Sequence, residues 1–132
     1  KKIQIESRVL RDLTINLIIP AAVAYEIILL DNVVKMKNVF SETEYERLTC
    51  KRRDLIVEIQ ERIDALKKLV HEMTEARKYC NNLRSVRAKA LAYSERVDCY
   101  LDKIREHIDP LEMNIDNEIW PLPKYRELLF TR

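Results

Sequence analysis

The chain has 132 residues, with 24 Lys and Arg against 22 Asp and Glu, so its net charge is only +2. This balance argues against a nucleic-acid partner, which normally requires a clear basic excess. The chain has no Gly, which excludes loops whose glycine backbone cradles a phosphate. With 47% hydrophobic and 35% charged residues, we predict one all-α helical domain spanning residues 1–132.

The three cysteines, Cys50, Cys80 and Cys99, are odd in number and show no Cys-x-x-Cys spacing. Neither a disulfide framework nor a zinc knuckle is indicated, and reduced thiols favour a cytoplasmic protein. A helical pattern is already running at Ile3 and no initiator Met precedes it. We therefore expect the chain to be a piece of a longer protein.

The first predicted helix covers Ile3 to Val39. Its apolar residues recur mostly at steps of three, four and seven, which places them on one helical face: Ile3, Leu10, Leu13, Leu17, Ala21, Tyr25, Ile28, Met36 and Val39. Pro20 donates no backbone hydrogen bond and predicts a kink. The apolar stretch Leu17 to Leu30 is interrupted by Pro20 and Glu26, so it predicts a deeply buried core helix and no membrane span.

The second helix is predicted to begin at Glu42. Ser41 can cap it while Glu44 reaches back to the Ser41 amide, and Phe40 and Tyr45 occupy the positions of a hydrophobic staple. The helix runs without Pro or Gly to an end signal at Asn81 and Asn82, about 60 Å at 1.5 Å per residue. Its apolar positions include Leu48, Leu55, Ile59, Ile63, Leu66, Leu69, Met73, Ala76, Cys80 and Leu83.

The third helix is predicted to start after a cap at Ser85 and to bend near Glu106, one turn before Pro110. Its apolar face comprises Ala90, Tyr93, Val97, Tyr100, Leu101, Ile104, Ile108, Leu111 and Ile115. The predicted turn between the second helix, which ends at Asn82, and the third helix, which is capped at Ser85, is short. A short turn between two long helices makes them antiparallel neighbours. The predicted architecture is therefore an antiparallel bundle of three long helices, the first kinked at Pro20.

The last stretch of the chain changes character at Trp120-Pro121-Leu122-Pro123. Pro123 is suited to the first position of a short C-terminal helix, on which Tyr125, Leu128 and Leu129 share one face. Trp120, Tyr125, Leu128 and Phe130 together carry more apolar surface than a disordered tail usually does. We expect this tail to be anchored on the bundle or on another domain.

The sequence contains only weak signals for groups of residues that could form a catalytic, metal or ligand site. His71 and Glu75 are one turn apart and could contact one metal ion, but a surface histidine explains His71 better. Cys80 lies on the core stripe, where thiols are usually inert. Three further features have structural explanations. Tyr93 and Tyr100 are explained as core aromatics, with a cofactor contact as the alternative. The Asp116 and Glu118 carboxylates are explained as surface groups, and Lys51-Arg52-Arg53 as a solvated helix face, with an anion contact as the alternative. We predict no catalytic, cofactor-binding or metal-binding residue.

Three motifs resemble a known family. The tail from Trp120 to Phe130 is similar to the C-terminal signature of type III glutamine synthetases. A helical motif of this family resembles Met73-Thr74-Glu75-Ala76-Arg77-Lys78. A third stretch, just after the family's catalytic domain, resembles Leu17-Ile18-Ile19-Pro20-Ala21-Ala22 with Tyr25. The three motifs occur in the family's order. The tail is the most specific, and it marks Trp120, Leu122, Tyr125, Leu128, Leu129 and Phe130 as candidate interface residues.

The resemblance implies that the parent protein joins ammonia to glutamate using ATP and Mg²⁺ or Mn²⁺, as a large homo-oligomer. The family's nucleotide and metal contacts belong to an upstream catalytic domain, so none is carried over to this chain. The upstream domain and sibling subunits are the implied partners of a structural, assembly-related domain. The alternative is a free-standing helical module that binds a partner helix.

Overall fold

The computed structural model describes residues 2–122, and every regular element among them is helical. Helix α1 (Lys2–Leu13), a first π-helical segment (Thr14–Ile18) and helix α2 (Ile19–Val39) form one continuous rod. Helix α3 spans Glu42–Asn81. Helix α4 (Val86–Ala92), a second π-helical segment (Tyr93–Val97) and helix α5 (Asp98–Asn114) follow without a break. The all-α prediction is confirmed.

Both predicted helix caps are present. The Ser41 hydroxyl accepts a hydrogen bond from the Glu44 amide at 3.3 Å, and the Ser85 hydroxyl accepts one from the Ala88 amide at 2.9 Å. Each bond satisfies a donor that the first helical turn leaves unpaired. The Glu44 carboxylate lies 2.8 Å from Arg47 instead of returning to the Ser41 amide, so the predicted capping box is only half formed.

One hydrophobic core joins the three rods. Helix α3 packs against α2 on one side and α5 on another, and α1 contacts α5 and the second π segment. Leu66 and Met73 are fully buried, as their positions on the predicted stripe required. Polar contacts connect the rods at successive levels: Arg52 with Met36, Arg62 with His107, Tyr93 with Asn81, and Arg105 with Glu6.

The buried face of the first rod differs from the prediction. Ile18 and Leu29 are buried, whereas their neighbours Leu17 and Ile28, which were predicted to face the core, are exposed, as is Val39. The observed face therefore lies one residue further along the chain at these two places, whereas Ala21 between them is buried as predicted. The stretch Leu17 to Leu30 is consequently not the deeply buried core helix that we predicted.

Two prolines occupy the predicted positions inside helices. The π segment ends two residues before Pro20, which cannot donate an i→i−4 bond; the kink itself stays a prediction. Helix α5 continues through Pro110 to Asn114, and its bend also stays a prediction. The predicted C-terminal helix and four candidate interface residues, Tyr125, Leu128, Leu129 and Phe130, lie outside the described residues.

Candidate interaction surface

The turn after α5 positions Trp120. The Asp116 carboxylate accepts a hydrogen bond from the Glu118 amide at 2.9 Å, and the Asp116 carbonyl accepts bonds from the amides of Ile119 and Trp120 at 3.0 and 2.9 Å. An Asp side chain that bonds the backbone two residues on stabilises such a turn. Asp116 was predicted to be merely a surface carboxylate, and its role here is to fix the chain that delivers Trp120.

Trp120 is buried in the main core, with 6% of its surface exposed, and Leu122 packs against the same core while remaining half-buried. The indole Nε1 of Trp120 is buried and finds no acceptor among residues 2–122. Buried indole N–H groups usually have one. The two described members of the candidate interface are thus attached to the bundle, and Trp120 serves as an internal anchor.

A second apolar surface lies on α2 and was missed at the level of sequence. Val23, Ile27, Leu30 and Val34 are 37%, 53%, 43% and 58% exposed, and we call these four residues the outer stripe. Their spacing of four, three and four residues places them on one face, which flanks the buried face formed by Ala22, Leu29 and Val33 at about 100° around the helix axis. The same spacing was readable in the sequence, but one buried stripe already explained the helix.

The rod Lys2–Val39 is the one helix among residues 2–122 that is long and apolar enough to cross a membrane. Length and composition alone are weak evidence, because the core helix of a soluble protein has the same properties. Only 33% of its most apolar window is buried inside this structure. Much of the apolar surface of this helix is therefore uncovered among residues 2–122, whereas apolar helix surface is usually buried.

The residues considered for chemistry do not assemble into a site. Among residues 2–122, no three His, Cys, Asp or Glu side chains come together in a way that could hold a metal ion. His71 lies beside Arg11 and Lys67 in a shallow groove, and Glu75 is paired with Lys78 at 3.5 Å. Cys80 is fully buried, and burial raises the pKa of its thiol, which disfavours the reactive thiolate.

The two core tyrosines differ in their surroundings. Tyr93 is buried and donates its hydroxyl to Asn81 Oδ1 at 2.7 Å, which supplies the polar partner predicted for a buried Tyr. Tyr100 is half-buried on α5. Its pKa is raised, first by burial and then by the nearby negative charge of Glu72 on α3.

The basic run on α3 is largely occupied by contacts within the chain. Arg53 bonds Glu46 at 2.6 Å and lies over the Tyr45 ring, and Arg52 donates to the Met36 sulfur at 3.3 Å. Lys51 is exposed, whereas Arg52 and Arg53 are half-buried. These contacts favour the solvated helix face over an anion site.

Glu26 is the carboxylate that interrupts the apolar α2. It is half-buried, and its pKa is raised from 4.5, mainly because burial disfavours its charged form and secondly because of the negative charge of Asp64 on α3. The α2–α3 contact therefore brings two carboxylates into electrostatic range at the edge of the core.

Comparison with known proteins places these features in a larger context. No family model matches the chain. A glutamine synthetase of Bacteroides fragilis (strain YCH46) is 59% identical over 131 residues, which cover 99% of this chain. The chain is related in sequence to a segment of type III glutamine synthetases. A type-3 glutamine synthetase of Dictyostelium discoideum is 26% identical over 140 residues and covers the whole chain.

This chain spans 18% of the length of each of these two relatives. The resemblance drawn from the three motifs is confirmed, and the matches are consistent with the C-terminal region of a type III enzyme. Trp120, the outer stripe of α2 and the helical motif from Met73 to Lys78 all lie within the matched segment.

Proposed function

We propose that this chain is a non-catalytic accessory domain of a cytoplasmic glutamine synthetase and that it serves the structure and oligomeric assembly of that enzyme. The match of 131 residues to a glutamine synthetase at 59% identity carries the proposal. The parent enzyme would ligate ammonia to glutamate with ATP and Mg²⁺ or Mn²⁺. Its upstream catalytic domain and sibling subunits would be the partners of this domain, with neither nucleic acid nor membrane involved.

The proposed architecture is an antiparallel three-helix bundle. Two turns of a few residues connect the rods, which favours antiparallel neighbours. The cross-rod contacts support the same direction: Arg62 with His107 and Asn81 with Tyr93 run in opposite orders along α3 and along the third rod. Such a bundle is a rigid body suited to holding other parts of an enzyme in place.

Deletion of this segment from the full-length enzyme tests the proposal. We expect loss of the native oligomer in analytical ultracentrifugation, with a matching loss of glutamine formation. A truncated enzyme that assembles and works normally would exclude an assembly role.

Nucleotide titration tests the non-catalytic part of the proposal. We expect the 132-residue chain to give no saturable heat with magnesium-ATP in isothermal titration calorimetry, since it has no Gly for a phosphate-binding loop. A saturable micromolar site would contradict the proposal. The parent's ATP and metal contacts would then have to be sought partly within this segment.

The alternative is a free-standing helical module that binds a partner helix. The outer stripe favours it, because residues at i, i+4, i+7 and i+11 are the spacing with which helices meet in a groove. Sequencing the gene around this segment discriminates the two functions. A continuous reading frame with an upstream glutamine synthetase domain supports the accessory domain, and a separate short gene supports the module.

A further inference from the structure

Helix α2 carries two adjacent apolar stripes, about 100° apart around its axis, although only one of them is covered. Ala22, Leu29 and Val33 face α3, and the outer stripe of Val23, Ile27, Leu30 and Val34 is exposed. The face of α2 opposite its core carries the exposed polar residues Asp31, Lys35 and Asn38, as a surface helix normally does. The apolar part of the helix is nevertheless wider than the part that α3 covers, and apolar helix surface is normally buried. Something in the complete protein is therefore expected to cover the outer stripe.

We propose that another part of the same polypeptide, outside this segment, docks against the outer stripe of α2 and forms an intramolecular domain interface. This inference rests on the proposed function, because it takes the chain to be a segment of a longer enzyme. The segment amounts to 18% of the length of its relatives, so more than four-fifths of such a chain lies outside the segment. The occupant would present an apolar surface without charged residues at its centre.

The size of the stripe favours this occupant over a second copy of the chain. Four partly exposed side chains on one helix supply much less than the roughly 800 Å² per partner that a stable interface between separate molecules buries. Within one polypeptide, a smaller contact suffices, because the linkage replaces a bimolecular encounter with a high effective concentration. A modest apolar stripe is thus sufficient for a domain contact and insufficient for a dimer.

The neighbouring helix argues against a lipid occupant. Helix α2 is packed along α3, and α3 is rich in charged residues, including the Lys51-Arg52-Arg53 run and the exposed Glu61, Lys67 and Lys68. Charged side chains in a hydrocarbon layer are costly. The α2–α3 pair cannot enter a bilayer far enough to bury the stripe without also bringing these charges towards it.

Photocrosslinking in the full-length enzyme tests the inference. The photoreactive residue p-benzoylphenylalanine replaces Ile27 in one variant and Leu30 in another. In the matched control it replaces Val57, which is 56% exposed on α3. Enzyme is assembled from a mixture of ¹⁵N-labelled and unlabelled chains, irradiated and digested. Mass spectrometry then identifies each crosslinked peptide and whether its two halves carry the same label.

We expect crosslinks from positions 27 and 30 to peptides outside this segment, with matching isotopic labels, and several-fold fewer crosslinks from position 57. Halves with mixed labels would assign the stripe to a neighbouring subunit and overturn the inference. Crosslinks to residues 123–132, lipid adducts formed with added phosphatidylcholine and phosphatidylglycerol vesicles, or yields no higher than at position 57 would also overturn it.

A substitution gives a second measurement that does not depend on crosslinking chemistry. Ile27→Lys combined with Leu30→Lys should lower the melting temperature of the full-length enzyme, whereas Val57→Lys should leave it unchanged. Equal melting temperatures for both variants would contradict the inference. If the enzyme assembles and works normally without the segment, the proposed function fails; if it needs the segment but positions 27 and 30 crosslink elsewhere, only the docking inference fails.

Discussion

The Tyr93 hydroxyl donates a hydrogen bond to Asn81 Oδ1 at 2.7 Å, which links the end of α3 to the start of the second π segment. Tyr93 is buried while Asn81 lies at the surface. The bond therefore satisfies a buried polar group across the turn between α3 and α4. It also joins two of the three rods at the end where the chain passes from one to the other.

Removal of this hydroxyl should weaken the fold measurably. We expect Tyr93→Phe to lower the free energy of unfolding by about 0.5–1.5 kcal/mol, the usual net contribution of one hydrogen bond. Urea denaturation of the 132-residue chain measures it. A double-mutant cycle with Asn81→Ala isolates the pair, and a coupling energy of zero would contradict a stabilising contact.

Leu66 is fully buried at the centre of α3. We expect Leu66→Ala to destabilise the chain by about 2–5 kcal/mol, because the substitution removes buried apolar contacts and leaves a cavity. Val57→Ala on the exposed side of the same helix is the control, with an expected change within about 0.5 kcal/mol. Equal urea midpoints for the two variants would contradict the assignment of the buried face.

The start of α3 depends on a single hydroxyl. Ser41→Ala should cost about 1 kcal/mol, because the Glu44 amide loses its acceptor. Ser85→Ala should have a similar effect at the start of α4, whereas Ser94→Ala, at an exposed position away from both caps, should be silent. Thermal melts in which all three variants behave alike would argue against capping.

Glu26 should make stability depend on pH. Its pKa in the folded state is raised above 4.5, so the unfolded chain ionises first, and stability decreases as the pH rises from about 4.5 through the folded-state pKa. At neutral pH, Glu26→Gln should therefore raise the melting temperature. The difference should vanish well below pH 4.5, and Glu61→Gln, at an exposed site on α3, should show no such trend.

Local chemistry made several elements predictable. Ser41 and Ser85 each stand before a helix with a free amide three residues on, and Leu66 lies midway between Ile59 and Met73 on a seven-residue repeat. The π turns were not predictable, because an i→i+5 bond is selected by how the rods pack and leaves no mark in a 3.6-residue pattern. Thr14 shows the consequence: it is fully buried at the start of the first π segment, at a polar position that no hydrophobic pattern would assign to the core.

The outer stripe of α2 was missed for a different reason. Val23, Ile27, Leu30 and Val34 fit a helical repeat as well as Ala21 and Tyr25 do, and a sequence pattern shows that a residue is apolar without showing which neighbour covers it. The burial of an apolar residue depends on which other helices, domains or subunits surround its helix. That number is a property of the whole protein, which exceeds this segment several-fold in the two relatives.

Trp120 is the only Trp in the chain, so its fluorescence reports directly on the anchor. We expect Trp120→Ala to cost about 3–5 kcal/mol, the usual range for truncating a large buried aromatic residue. Trp120→Phe should cost less than Trp120→Ala, because it keeps most of the apolar contact and removes an indole N–H without an acceptor among residues 2–122. In the folded wild-type chain, the emission maximum of Trp120 should be blue-shifted, and it should move to longer wavelength on unfolding.

Two truncations separate the anchor from the residues that follow it. A chain ending at Leu122 keeps Trp120 and its Asp116 turn, so it should retain blue-shifted emission and unfold cooperatively. A chain ending at Glu118 loses the anchor together with Ile119 and Leu122, both of which pack against the core, and should melt at a clearly lower temperature. Full burial of one such side chain stabilises by roughly 1.5–3 kcal/mol, which makes the difference measurable by calorimetry. If the two truncated chains melt together, Trp120 does not anchor the end of the bundle. If the chain ending at Leu122 is already much less stable than the whole, the tail from residue 123 onwards contributes to the fold beyond the anchor.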